Sequence, residues 1–351
     1  MKLEQYLRQL TQNAEAKRQS AASEPWSRRR DRTASAFRRL LGDYPVSGSA
    51  DLEPVLLERR KCDGYTRDRI EISTVEGLRM PMYVLLPDKP AAEPVPAVVA
   101  CHGHGYGSRE IAGLEPDGSE RAGAPGLHQD FAVALAREGY VVAAPELVGF
   151  GDRRLEEDKA SEAPGANSCF RLAAHLLLTG RTLAGLRVCE TSRAVDYVLG
   201  LAAVDPDRIA VMGISGGGLV AGFAAALDER IRCAVVSGYA NLFEDSILSR
   251  NHCLDNYIPG VLLEAEMPEL LGLIAPRGLF LESGAEDRVF PQHSARKAYA
   301  ALRDIYGTYG AEDAVQADFF EGGHEIHGDP AYEWLRKQLN GSEKKTGGDA
   351  Q

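Results

Sequence analysis

The stretch Arg208–Leu219, RIAVMGISGGGL, constrains this chain more than any other. Ile209, Ala210, Val211 and Met212 form an apolar run without helical alternation, as a strand covered on both faces would, and Asp205 and Pro206 punctuate the chain just before it. Leu219, Val220, Ala221, Phe223, Ala224 and Leu227 then supply the apolar face of a helix. The join is Gly213-Ile214-Ser215-Gly216-Gly217, a G-x-S-x-G pentapeptide between strand and helix. A residue on so sharp a turn takes strained backbone angles and lies against neighbouring main chain, where flanking side chains would obstruct it; Gly213 and Gly217 remove them. Ser215 is thereby presented at the carboxyl edge of a sheet, beside the positive end of a helix. The bare pentapeptide would equally suit an ordinary glycine-rich turn. It is not a P-loop, because no Gly-Lys-Ser/Thr follows, and Ser215 stands where a dinucleotide fingerprint needs its second glycine.

Serine is a weak nucleophile at its own pKa, so a nucleophilic role for Ser215 requires a base and an orienting acid downstream. Gly278–Ser283 reads as a buried strand, and the loop after it, Gly284-Ala285-Glu286-Asp287-Arg288-Val289-Phe290-Pro291, offers Asp287, with Glu286 as its competitor. The last strand, Val315–Phe320, runs into Glu321-Gly322-Gly323-His324-Glu325-Ile326-His327. Two glycines let that loop fold back, so His324 can reach between serine and acid, and His327 reads as a solvated loop histidine. In this reading His324 takes the proton from Ser215, and Asp287 fixes the imidazole tautomer.

Upstream, the strand Val95–Ala100 ends in Cys101-His102-Gly103-His104-Gly105. Such a turn can present a backbone amide, assigned to His104 with Gly103 next, opposite the amide of Gly216, as a two-donor oxyanion hole. The paired histidines also invite a metal reading, but alternating side chains of a strand-end turn diverge, and no cluster of Asp, Glu or Cys with ligand spacing lies nearby in sequence. No metal or organic cofactor is expected.

Together, HGHG, GISGGG, SGAEDRVFP and GGHEIHG resemble the α/β-hydrolase superfamily, and within it the dienelactone-hydrolase-like and acetyl-xylan-esterase-like serine esterases, over roughly residues 65 to 340. The run Pro145–Arg153, PELVGFGDR, is similar to a loop of such enzymes, and the D-x-x-F-P context favours Asp287 as the acid. Dienelactone hydrolases proper carry a cysteine nucleophile, whereas this chain has Ser215, which favours ordinary ester cleavage. The resemblance implies an α/β-hydrolase fold, a mostly parallel sheet flanked by helices on both faces, and a small acyl group such as acetyl on a sugar as substrate. A prolyl-oligopeptidase-type peptidase would need a preceding propeller, for which residues 1 to 60 are too short. A catalytically silent hydrolase fold serving as a binding module would be expected to lack one of the three residues.

Strand and helix signals alternate, which implies a mostly parallel sheet. Strands are expected at 70–74 and 80–86 (a hairpin), 97–101, 140–144, 208–214, 231–237, 278–283 and 315–320, with helices near 127–138 and 170–202. Residues 1–60 read as a helical extension, with helices at 3–17 and 26–41, packed on the hydrolase body or on a second subunit, so that a homo-oligomer stays open. Residues 61–340 read as the hydrolase domain and 341–351 as a disordered tail. Two insertions are expected to shape the cleft, a loop over it at 106–126 and a second segment at 239–270. In the second, His252, Asn256 and Tyr257 either contact substrate or order the loop. Glu146 and Asp152, at another strand end, either recognise substrate hydroxyls or cap their turn.

At 351 residues, 44% hydrophobic and 26% charged, the chain can bury one large core, and no apolar run approaches the ~18 residues of a membrane span. The net charge of −11 argues against nucleic acid or an anionic membrane as partner; the small ester expected as partner is what the resemblance implies. The cluster Arg28, Arg29, Arg30, Arg32, Arg38 and Arg39 reads as a solvated helix face or one paired with an acidic body. Residues 1–12 lack the apolar core of a secretory signal, and the six scattered cysteines read as reduced thiols, so a cytoplasmic location is expected.

Overall fold

The computed structural model describes residues 1–21, 24–45, 51–75, 77–88, 93–161, 163 and 165–340, so the tail at 341–351 lies outside the described residues. Nine strands form one sheet in the order β1-β2-β3-β5-β4-β6-β7-β8-β9: β1 Val55–Lys61, β2 Tyr65–Ser73, β3 Arg79–Pro87, β4 Val95–Cys101, β5 Val141–Pro145, β6 Val204–Ile214, β7 Cys233–Ser237, β8 Gly278–Gly284 and β9 Val315–Phe320. β1, β2 and β3 are antiparallel, and from β5 to β9 every neighbouring pair is parallel. The helices are α1 Leu3–Ala21, α2 Trp26–Leu41, α3 Phe131–Arg137, α4 Glu156–Lys159, α5 Cys169–Leu178, α6 Leu183–Leu199, α7 Gly216–Leu227, α8 Val261–Glu264, α9 Met267–Leu271, α10 Gln292–Gly307 and α11 Asp329–Asn340.

The apolar runs without alternation are explained by two cores, one on each face. Ala97, Val99, Ile209 and Val211 face the core formed with α2, α6 and α7. Their chain neighbours Val98, Ala100, Ala210 and Met212 face the core formed with α3 and α11. Successive side chains of a strand point to opposite faces, so a strand covered on both must be apolar throughout.

The expected helix at 170–202 is two helices, broken at Thr179 and Gly180, whose φ of +76° ends α5. Among the described residues of 1–60 the helices end at Leu41, and Val55–Lys61 adds β1 to the sheet edge, every residue of it exposed. Basic residues of the first two helices meet the body: Arg29 pairs with Glu269 at 2.8 Å, Arg38 donates to the Leu227 carbonyl at the end of α7, and Arg18 donates to the Leu262 carbonyl. Cations satisfying carbonyls at a helix C-terminus also suit its dipole. Among the described residues, no helix is long and apolar enough to cross a membrane.

The chain leaves β4 for β5 on one side and later reaches β6 on the other, which opens a crevice at the carboxyl ends of β4 and β6. Parallel register pairs Cys101 with Gly213, so the turns that follow, His102–His104 and Ile214–Gly216, emerge side by side.

Candidate active site

Ser215 has φ +57° and ψ −123°, outside the regions a non-glycine residue normally occupies. The glycines around it permit close backbone approach. A Cβ at Gly213 would lie 2.2 Å from the Gly217 carbonyl oxygen, and one at Gly217 would lie 2.1 Å from that of Cys101. α7 begins at Gly216, so its first amides, without intrahelical partners, point towards the serine.

The loop after β8 buries Asp287 and leaves Glu286 exposed. Asp287 accepts at Oδ1 from the amides of Val289 (2.7 Å) and Phe290 (2.9 Å), and at Oδ2 from Nδ1 of His324 at 2.7 Å. The ring of Phe290 stacks on His324 with centroids 5.8 Å apart. His327 is held elsewhere, its Nδ1 2.5 Å from Asp318 Oδ2. Ser215, Gly216, His104 and His324 line a single cleft of about 270 Å³ with Leu127, Arg250, Asn251, His252, Cys253, Asn256, Val289 and Phe290. A larger hollow of about 770 Å³, lined by Arg208, Arg230, Arg232 and Arg277, holds none of these groups.

The His-Gly-His turn is fixed from both sides. His102 lies within 2.8 Å of the Gly103 carbonyl at Nδ1, and its Nε2 accepts the Leu147 amide at 3.1 Å, so the neutral Nδ1–H tautomer ties the end of β4 to the end of β5. The Gly103 amide donates to Nε2 of His128 at 2.9 Å, and Nδ1 of His128 lies 3.1 Å from Glu110. Gly103 is therefore already engaged, and of the two upstream amides considered, that of His104 is left for a ligand. A Cβ at Gly216 would meet the His104 ring at 3.1 Å, which places the two turns in contact. His128 and Glu110 carried no motif in the sequence.

Burial drives the His102 imidazole down to about 3, and the hydrogen bond to the Gly103 carbonyl offsets only part of that. Below the ordinary value of 6.5 the unfolded chain takes a proton here that the folded chain refuses, so folding loses about 1.4 kcal/mol per pH unit until about 3. Stability therefore rises with pH across that window. Urea denaturation of wild type and His102→Gln at pH 6 and pH 5 should show the wild type losing its advantage at about that rate; parallel losses in both proteins would contradict it.

Several expected contacts are placed differently. Glu146 does not line the cleft: it is fully buried, accepts from the amide (2.9 Å) and hydroxyl (2.8 Å) of Ser108, and pins the turn after β4. Burial holds its carboxyl above the usual range. Asp152 pairs with Arg69 and Arg109. The 106–126 segment contributes no lining residue; it packs against the antiparallel edge, where Arg67 holds Glu120 at 2.6 Å. In the 239–270 segment, His252 and Asn256 reach the cleft, whereas Tyr257 is absent from its lining and accepts the His252 amide at 3.3 Å.

The sequence pattern shows no ligand cluster near the histidines, but folding makes one. A ring nitrogen of His104 and the sulfurs of Cys169 and Cys253 lie within 4.8 Å of one another. Arg187 holds this corner: it donates to the Val148 carbonyl, to Asp255 and, at 3.1 Å, to Cys169 Sγ. The Cys253 thiol and the Arg187 guanidinium draw the Cys169 thiol well below the ordinary thiol range, while the adjoining thiolate and burial push Cys253 up. Burial opposes charge on His104, but Cys169 and Asp255 outweigh it and raise its pKa.

Comparison with known proteins gives three kinds of likeness. A family model described as the Abhydrolase family matches residues 3–304, which includes α1 and α2. YtaP of Bacillus subtilis (strain 168), named as a hydrolase, is 29% identical over 305 residues, covering 84% of this chain and 94% of YtaP. Among solved structures, a Bacteroides fragilis protein described as an acetyl xylan esterase superposes with a TM-score of 0.70 at 20% identity, covering 87% of this chain and 77% of that one. A glucuronoyl esterase from Solibacter usitatus gives 0.66 at 18% identity, covering 88% and 92%. At these identities the structures establish the fold, that of the α/β-hydrolases.

Proposed function

The chain belongs to the Abhydrolase family, and we propose that it is a serine carboxylic-ester hydrolase working through Ser215, His324 and Asp287 by an acyl-enzyme. The observation that carries the reading is the shared cleft: a serine on a strained strand-to-helix turn lines the same cleft as a histidine whose Nδ1 lies 2.7 Å from a buried carboxylate. Nε2 of His324 accepts the Ser215 proton as Oγ attacks the ester carbonyl, and Asp287 stabilises the imidazolium. The carbonyl oxygen becomes an oxyanion between the amides of His104 and Gly216, with the α7 dipole behind the second. His324 returns the proton to the leaving alcohol, and water repeats the sequence to release the acid.

A cleft of about 270 Å³ suits a small acyl group, because drug-sized sites start at about 300 Å³. Acetyl on a carbohydrate is the substrate class proposed; the acetyl xylan esterase neighbour is consistent with it. The test is turnover of p-nitrophenyl acetate and butyrate, with intact-mass detection of a fluorophosphonate adduct mapped to the Ser215 peptide. One adduct per chain, with acetate turned over faster than butyrate, is expected. A folded protein that neither labels nor cleaves either ester would overturn the proposal.

A further inference from the structure

We propose that His104, Cys169 and Cys253 form a binding site for a thiophilic divalent cation, zinc(II), at the wall of the cleft. The donors come from three separate segments, the turn after β4, the first residue of α5 and the 239–270 segment, yet all three ligand atoms lie within 4.8 Å of one another. Tetrahedral zinc with Zn–S near 2.3 Å and Zn–N near 2.0 Å needs donors roughly 3.4–3.8 Å apart, so rotamer adjustments of about 1 Å suffice.

A second observation points to the same place. Nε2 of His104 is cut off from solvent and makes no hydrogen bond of regular geometry; its interactions are with the Cys169 sulfur and the Asp255 carboxylate. It faces Asp255, whose Oδ2 is 3.8 Å away, and the cysteine pair. The donor set, two sulfurs and an imidazole, is the soft set that selects zinc over magnesium or calcium. Arg187 supplies the outer support, donating to Cys169 Sγ at 3.1 Å and to Asp255. With both cysteines deprotonated, zinc neutralises them, and Arg187 and Asp255 cancel each other. Whatever protons the two sulfurs and the imidazole carry leave to solvent as zinc takes their lone pairs, and no oxidation state changes. His104 and Cys253 also line the cleft, so the fourth position opens towards the bound ligand beside Ser215.

The site needs neither the hydroxyl of Ser215 nor ester chemistry, so its test is separate from that of the esterase reading. Full-length protein, made metal-free and kept reduced with a phosphine, is titrated with cobalt(II) and then zinc(II) against a chromophoric chelator. One equivalent should bind with the near-ultraviolet absorption of thiolate-to-cobalt charge transfer, displaced by zinc. Ser215→Ala should retain it. Cys169→Ser, Cys253→Ser and His104→Gln should each weaken zinc binding by at least ~100-fold. Circular dichroism and thermal unfolding establish that each variant is folded, and Cys253→Ser, at a cleft-lining position, is the one expected to fold most readily. Absence of the charge-transfer band in reduced wild type, or equal zinc affinity in the folded Cys253→Ser variant, would overturn the proposal.

Discussion

Replacing Ser215 by alanine is expected to lower ester turnover by about 10⁶-fold and to abolish fluorophosphonate labelling. The cysteine among the described lining residues, Cys253, does not follow a strand as Ser215 does and belongs to the cluster with His104 and Cys169. The same substitution should leave stability within about 0.5 kcal/mol of wild type. Ser215 holds its positive φ through the packing of Gly213, Gly217 and the Cys101 carbonyl, and alanine can occupy that conformation at the same cost. The measurements are kcat/KM on p-nitrophenyl acetate and urea denaturation of both proteins. Activity within tenfold of wild type would remove Ser215 from the mechanism, whatever the fold does.

How legible the site was in the sequence depended on how local its signals are. The strand, the pentapeptide and the helix that present Ser215 are contiguous, and the steric demand for Gly213 and Gly217 is met by main chain within the same turn or the adjoining strand. Asp287 follows the buried strand β8 and His324 the edge strand β9, and the two strands pair in register, so loops read separately converge in space. β1 is hidden in the sequence because its apolar residues, Val55, Leu56 and Leu57, are consecutive and followed by four charged ones, without the alternation of a half-buried strand, and all of it is exposed at the sheet edge. The break between α5 and α6 was hidden because apolar residues run on either side of Gly180. Glu146 looked available because it follows a strand, as catalytic groups do. Its burial is enforced by Gly107 and Gly151, where a Cβ would lie 2.0 Å and 2.6 Å from the carboxylate. The cluster of His104, Cys169 and Cys253 was illegible for a different reason: its members are brought together only by the packing of α5 against the 239–270 segment and the buried Arg187. Spacing along a chain reports ligands on one element, not ligands supplied by three.

Asp287→Asn should lower kcat/KM by about 10⁴-fold while the protein stays folded. The reason lies in which atoms Asp287 already commits. Oδ1 accepts two backbone amides, from Val289 and Phe290, so in asparagine this position must remain the oxygen. The amide NH₂ is then left facing Nδ1 of His324, where the carboxylate oxygen had accepted at 2.7 Å. Two donors cannot face each other, so His324 must turn its Nδ1 into an acceptor and carry its proton on Nε2, directed at Ser215. The base becomes a donor, and the imidazolium loses the charge that stabilised it. Glu286→Gln should change kcat/KM little, because Glu286 is exposed and Asp287 holds the bond to His324. If Glu286→Gln proved the more damaging substitution, or if Asp287→Asn kept activity within tenfold, the assignment of Asp287 would fall while Ser215 and His324 remained in question only through their own variants.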